Sequence, residues 1–193
     1  MKIASIEAIP INIPMSVGAE GAGWDVDMFQ GLDTVLVRVE TDDGLVGWGD
    51  AYAYNCLRPV QAAVEDMVAP LAIGHDAADI GGLRHKLQQS LHLFGRYGIT
   101  MFAISGLDIA LWDIAGKAAG KPLHALRGAG ASDAIPAYAS LFRYIDVVAE
   151  RTADALARGY SHVKLHEITE DAIAAARRTA GDGVPIMVDT NCP

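Results

Sequence analysis

The sequence predicts two architectures in one chain: an α+β domain, then the opening units of an incomplete (β/α) barrel. Three observations predict it. Residues 2–51 show strand-like runs rich in Ile and Val, whereas residues 58–119 carry their apolar residues at helical spacing. From Ile135 onward the rhythm becomes strand, helix, strand, helix, strand, the pattern of parallel strands joined by right-handed crossovers. Between them lies GAGASD, residues 128–133, which is small and polar enough to be a boundary. Domains of residues 1–127 and 134–193 are therefore expected.

Residues 2–14 alternate imperfectly and read as a strand, and residues 16–31, SVGAEGAGWDVDMFQG, read as a glycine-rich loop. Thr34–Glu40 is β-branched and alternating, Asp42-Asp43-Gly44 is a turn signal, and Leu45–Ala51 continues as the second arm of a hairpin. Three helical patterns follow. Residues 58–71 repeat Val60, Ala63, Val64, Met67, Val68 and Leu71; residues 80–93 place Ile80, Leu83, Leu87 and Leu91 on one stripe. Residues 99–119 are apolar around most of the circumference and predict a helix buried on several sides. Gly120 followed by Lys121-Pro122 ends that helix. Past the boundary, strands are expected at 135–140, 161–166 and 184–191, with helices at 146–158 and 169–180.

A length of 193 residues fits one domain or two small ones, and at 51% hydrophobic residues the chain can build a core. A net charge of −9 argues against nucleic acid as a partner, because phosphate binding wants a basic patch. The most apolar stretch, 99–119, is interrupted by Asp108, Asp113 and Lys117, so no membrane partner is expected. Two cysteines, Cys56 and Cys192, are too few for a disulfide framework, and the N-terminus has no signal-type apolar run. A cytoplasmic protein is expected.

The chemistry is concentrated at the ends of the last two strands. Lys164 and His166 are two apart, as are Asp189 and Asn191, so each pair shares one strand face. Val163, Leu165 and Val188 point the other way, toward a layer of helices. Taken singly, Lys-x-His is ordinary polar decoration and Asp-x-Asn an ordinary turn or cap. Together, one βα unit apart and at C-terminal strand ends, they match the way a (β/α) barrel builds a catalytic mouth.

Two segments of the first domain, TDDGLVGWGDA (41–51) and AISGLDIALWDIAGKAAGKPLHALRG (103–128), resemble hallmark stretches of the enolase superfamily, in its mandelate racemase/muconate lactonizing enzyme branch. The resemblance covers essentially the whole chain. It implies an α+β capping domain over a modified barrel of the TIM type, whose cap loops help choose the substrate. Residues 16–31 and 52–59 match the two specificity loops. Lys164 and His166 stand where the family has Lys-x-Lys, the second position being the general base; Asp189 stands at the first metal-ligand carboxylate, with Asn191 after it. Trp24, Tyr54 and Ser140 are further substrate-binding candidates, although a loop tryptophan or tyrosine is as often a packing anchor. Asp108 and Asp113 are expected to be hydrogen-bonding groups between cap and barrel.

The resemblance implies Mg²⁺-dependent removal of the proton α to a carboxylate, with a small-molecule carboxylate as substrate and a homo-oligomeric enzyme. The metal stabilises the enediolate charge, and the family pairs it with a Lys or His base. His166 in place of the usual lysine speaks against subfamilies that keep two lysines, yet it retains a base that titrates near neutrality. Lys164 is expected to disfavour protonated His166. Acid sugar dehydration is the leading reading, with racemisation, epimerisation or cycloisomerisation as alternatives. A different class of reading is a non-catalytic fragment. Only three of the eight strands that close a barrel appear in the sequence, so residues 1–193 alone are expected to be inactive.

Overall fold

A computed structural model describes residues 1–14, 31–126, 128, 130, 132, 134–142, 146–167 and 169–190. The chain divides into two units, one of Met1–Ile13 with Leu32–Asp133 and one that takes in the chain from Ala134 onward.

The first unit begins with a sheet of order β1 (Ile3–Pro14), β2 (Gly31–Thr41), β3 (Val46–Tyr52). β2 and β3 form the expected antiparallel hairpin, with Val37 opposite Gly49, and Gly44 turns it at φ 87°. Val35, Val37 and Val39 alternate into the core and are fully buried.

The helical pattern at 58–71 was expected as one helix and is instead broken in the middle. α1 (Leu57–Ala62) passes through a π-helical turn (Ala63–Val68) into α2 (Ala69–Ala72). Pro70 sits in the first turn of α2 and has no N–H to give the carbonyl four residues back, so the ladder changes spacing ahead of it. α3 (Ile80–Ser90) is capped by Asp79, whose carboxylate accepts from the Gly82 N–H at 3.0 Å. It stops earlier than expected, giving way to a 3₁₀ turn at His92–Phe94, yet Ile80, Leu83, Leu87 and Leu91 are all buried as one stripe.

α4 (Ile99–Ala119) spans the expected range and ends on left-handed Gly120 at φ 59°; α5 (Leu123–Leu126) comes next. By length and composition α4 could cross a membrane, but it lies against β3 in the core of this unit, with Ala103, Leu107, Ala110, Leu111 and Ile114 buried. The approach is backbone to backbone. A Cβ on Gly49 would run into the Gly106 carbonyl, and one on Gly47 into the Ala110 carbonyl; one on Gly106 would stand 2.7 Å from Val37 Cγ2 and 2.8 Å from Ala51 Cβ. α4 also closes the outer edge of β3. Asp113 Oδ2 accepts from the Trp48 N–H at 2.9 Å, and Lys117 Nζ donates to the Val46 carbonyl at 2.8 Å and to Asp113 at 2.7 Å. Asp113 therefore satisfies strand groups inside this unit, and Asp108 faces Arg84 of α3 at 3.9 Å.

The second unit holds a parallel sheet of order β4 (Ala139–Ser140), β5 (Val163–Leu165), β6 (Ile186–Val188), connected by α6 (Val148–Ala157) and α7 (Glu170–Ala180). All three strands are shorter than expected. At 135–140 only the last two residues enter the ladder; Pro136, before them, has no N–H to donate. Val163 and Leu165 are fully buried against Val148 and Ala155 of α6 and Ala172 and Ala176 of α7. Val188, expected among them, is 43% exposed.

Gly49→Ala should cost about 3 kcal/mol in a denaturant titration, at the upper end of overpacking because the clash is with backbone. Gly81→Ala, an exposed position in α3 where an added Cβ meets nothing within 4 Å, should instead raise stability by about 0.5–1 kcal/mol. Equal effects at the two positions would contradict the close approach of α4 and β3.

Candidate active site

The site grows from the register of β5 and β6. With Val163 and Leu165 committed to the helix side, Lys164 and His166 must project from the opposite face. Lys164 pairs with Met187 and Leu165 with Val188. One residue further, the Asp189 N–H donates to the Leu165 carbonyl at 2.8 Å, which sets Asp189 beside His166. Asp189 Oδ2 lies 2.7 Å from Lys164 Nζ and 3.5 Å from His166 Nε2. Ser140 pairs with Lys164 across the β4–β5 ladder and shares its face. Thus Lys164, His166, Asp189 and Ser140 come together at the C-terminal ends of three parallel strands.

The hydrogen bond to Asp189 holds the Lys164 ammonium above the usual lysine range; partial burial opposes this, and the Asp189 charge and the Tyr138 phenol add to it. One carboxylate oxygen, Asp189 Oδ2, is thus near both basic side chains. His166 Nδ1 is buried and meets no hydrogen-bond partner among the described residues.

Trp24 and Asn191 lie outside the described residues. Tyr54 belongs to the first unit, in the turn after β3, where its ring stacks on Tyr52 at 6.3 Å and Tyr52 meets Phe102 edge-on at 5.1 Å. Asn55 beside it takes φ 51°, a left-handed conformation that asparagine tolerates. Cys56 in the same turn has its thiol pushed up by burial, then by Asp33, which makes it a poor nucleophile.

Two residues near the site escaped the reading of the sequence. Glu167 comes after His166 on the buried side of the strand and is 1% exposed; a charged residue next to the site histidine was the available signal. Tyr138 stands two residues before Ser140, on the same face by strand alternation.

As a donor, the Asp189 carboxylate suits a hard divalent cation. Among the described residues, no group of three His, Cys, Asp or Glu side chains could hold a metal ion. Asp189 therefore fits as one ligand and does not constitute a site.

The description of the mandelate racemase/muconate lactonizing enzyme N-terminal domain matches residues 25–128. An arabinonate dehydratase of Saccharolobus solfataricus is 34% identical over 171 residues, 83% of this chain and 46% of that protein. A D-galactarolactone cycloisomerase of Agrobacterium fabrum is 35% identical over 170 residues, 81% of this chain and 44% of that one. The chain thus spans less than half the length of these curated relatives. Among solved structures, a member of the enolase superfamily from Agrobacterium tumefaciens superposes with a TM-score of 0.85 at 30% identity, covering 98% of this chain and 55% of that one. A racemase from Streptomyces coelicolor A3(2) with bound magnesium gives 0.83 at 29% identity, with the same 98% and 55% coverage.

Arg177 of α7 positions the strand that carries Asp189. Its guanidinium donates to the carbonyls of Gly181 at 2.7 Å and Val184 at 2.8 Å, closing the turn into β6. Arg177→Ala should lower the stability of this unit by about 1–2 kcal/mol, the range for bonds to a charged donor discounted for exposure. Hydrogen exchange should rise first at the amides of β6; uniform loss of protection would argue against a local role.

Proposed function

The chain belongs to the mandelate racemase/muconate lactonizing enzyme family, and from that premise we propose that the whole enzyme removes the proton α to the carboxylate of an acid sugar and expels the β-hydroxyl, as a dehydratase. The observation that carries the reading is the convergence of Lys164, His166 and Asp189 on one face at adjacent strand ends. The names of the relatives, dehydratases and cycloisomerases of sugar acids, support the substrate class.

In this reading His166 takes the α-proton on Nε2, the ring nitrogen turned toward Asp189 and the interior face. An imidazole is suited to the step because its ring nitrogen can take a proton and return it. The Lys164 ammonium draws the substrate carboxylate to the strand ends, and Ser140, beside it, donates a hydrogen bond to a substrate oxygen. Asp189 would supply one ligand to Mg²⁺, which when bound offsets the negative charge growing on the substrate carboxylate. Substrate must then displace Lys164 from Asp189, exchanging one carboxylate for another around the same ammonium. Asn191, Trp24 and Tyr54 belong to the reading as substrate contacts carried by the family resemblance. The protein is read as a cytoplasmic homo-oligomer acting on a small molecule, with neither nucleic acid nor membrane as partner. Cycloisomerisation is the second reading, favoured by the galactarolactone relative; it shares the proton transfer and differs in the fate of the enediolate.

Two substitutions test this in the full-length enzyme. His166→Asn should lower exchange of the substrate α-proton with deuterium from one face by about 10²–10⁴-fold; unchanged exchange would place the base elsewhere. Asp189→Asn should reduce kcat by a similar factor, about 10²–10³-fold, with the fold retained by circular dichroism. Full turnover in that variant, or in wild type stripped by a chelator, would rule out the role given to Asp189.

A further inference from the structure

We propose that Tyr138 is a positioning residue for Lys164: its phenol oxygen receives the Lys164 ammonium when Asp189 turns to another cation, so that the positive charge stays on the interior face. The proposal rests on the reading of Lys164 as the group that draws in a substrate carboxylate.

The juxtaposition comes from register. β4 and β5 pair in parallel with Ala139 opposite Val163 and Ser140 opposite Lys164. The Ala139 N–H donates to the His162 carbonyl at 3.0 Å and the Leu141 N–H to the Lys164 carbonyl at 2.8 Å, which fixes this register. Ala139 is buried on the helix side; by alternation its neighbours Tyr138 and Ser140 take the other face, Ser140 level with Lys164 and Tyr138 two residues before it. On the other flank Lys164 has Met187, which is apolar, and then Asp189.

An ammonium carries three donor hydrogens, and Asp189 Oδ2 takes one of them. Once that carboxylate is committed elsewhere, the charge needs another oxygen or it moves to water. Lys164 has a four-carbon stem and can swing; the neighbouring polar side chains toward β4 are the Ser140 hydroxyl and the Tyr138 phenol. The phenol is the longer of the two, and Tyr138 is 46% exposed. As a neutral acceptor it holds the ammonium less firmly than Asp189 does, so a substrate carboxylate can still capture it. Tyr138 thereby keeps Lys164 within reach without competing for it.

The decisive measurement is the crystal structure of the Asp189→Ala variant of the full-length enzyme. Lys164 Nζ should lie within about 3.2 Å of the Tyr138 phenol oxygen; an ammonium turned to Ser140 or to solvent overturns the proposal. In the enzyme with Asp189 intact, Tyr138→Phe, which keeps the ring, should raise KM for the acid sugar about tenfold, the factor carried by one hydrogen bond to a charged group, with kcat changed less than about twofold. An unchanged KM, or a fall in kcat of the same size, also overturns it. If the wild-type enzyme turns over neither aldonates nor aldarates, the reading of the reaction fails instead, and the alanine-variant structure still decides where the ammonium goes.

Discussion

The hydrogen bond from the Asp189 N–H to the Leu165 carbonyl is the constraint on which the candidate site depends. It extends the β5–β6 ladder one residue past the end of β6 and thereby places a carboxylate level with His166. A slip of one residue would send Asp189 to the helix side, because side chains alternate across a strand. Such a slip is resisted from below. Val163 and Leu165 are fully buried among the small residues of α6 and α7, and turning them outward would expose both. The chemistry on one face is thus held in place by packing on the other.

The first unit obeys a different constraint, the absence of side chains where α4 meets the sheet. Gly47, Gly49 and Gly106 remove the Cβ atoms that would hold helix and strand apart. The close approach lets Asp113 and Lys117 reach the outer edge of β3 and satisfy its exposed N–H and carbonyl. An unpaired edge is an invitation to other strands; here part of that edge is closed by a helix of the same unit.

Electrostatically, the site is a carboxylate shared by two basic side chains. That arrangement stores the lysine charge next to the oxygen it neutralises until another carboxylate or a cation takes a share. In the proposed reaction, binding would be an exchange of partners, which would limit the desolvation cost of bringing a charged substrate to the strand ends. The same exchange is what would give the proposed second acceptor for the lysine, Tyr138, a use.

Much of this was legible from the residues alone. Alternation in TVLVRVE, the Asp-Asp-Gly turn and the 99–119 helix with its glycine stop are local patterns, and local sterics decide them. Lys164, His166 and Asp189 could be assigned to one face because strand alternation is a rule of backbone geometry. What the sequence could not decide were the matters that depend on neighbours. Pro136, with no N–H to donate, stands outside the β4 ladder, and Pro70 turned one helix into three pieces. Asp113 proved to serve β3, 65 residues away in sequence, which no local pattern announces. Nor could spacing reveal that Asp189 would stand between Lys164 and His166. Periodicity determines which face a side chain takes; which charged groups meet on that face is set by register between strands, and register is decided only when the helices bury the other side.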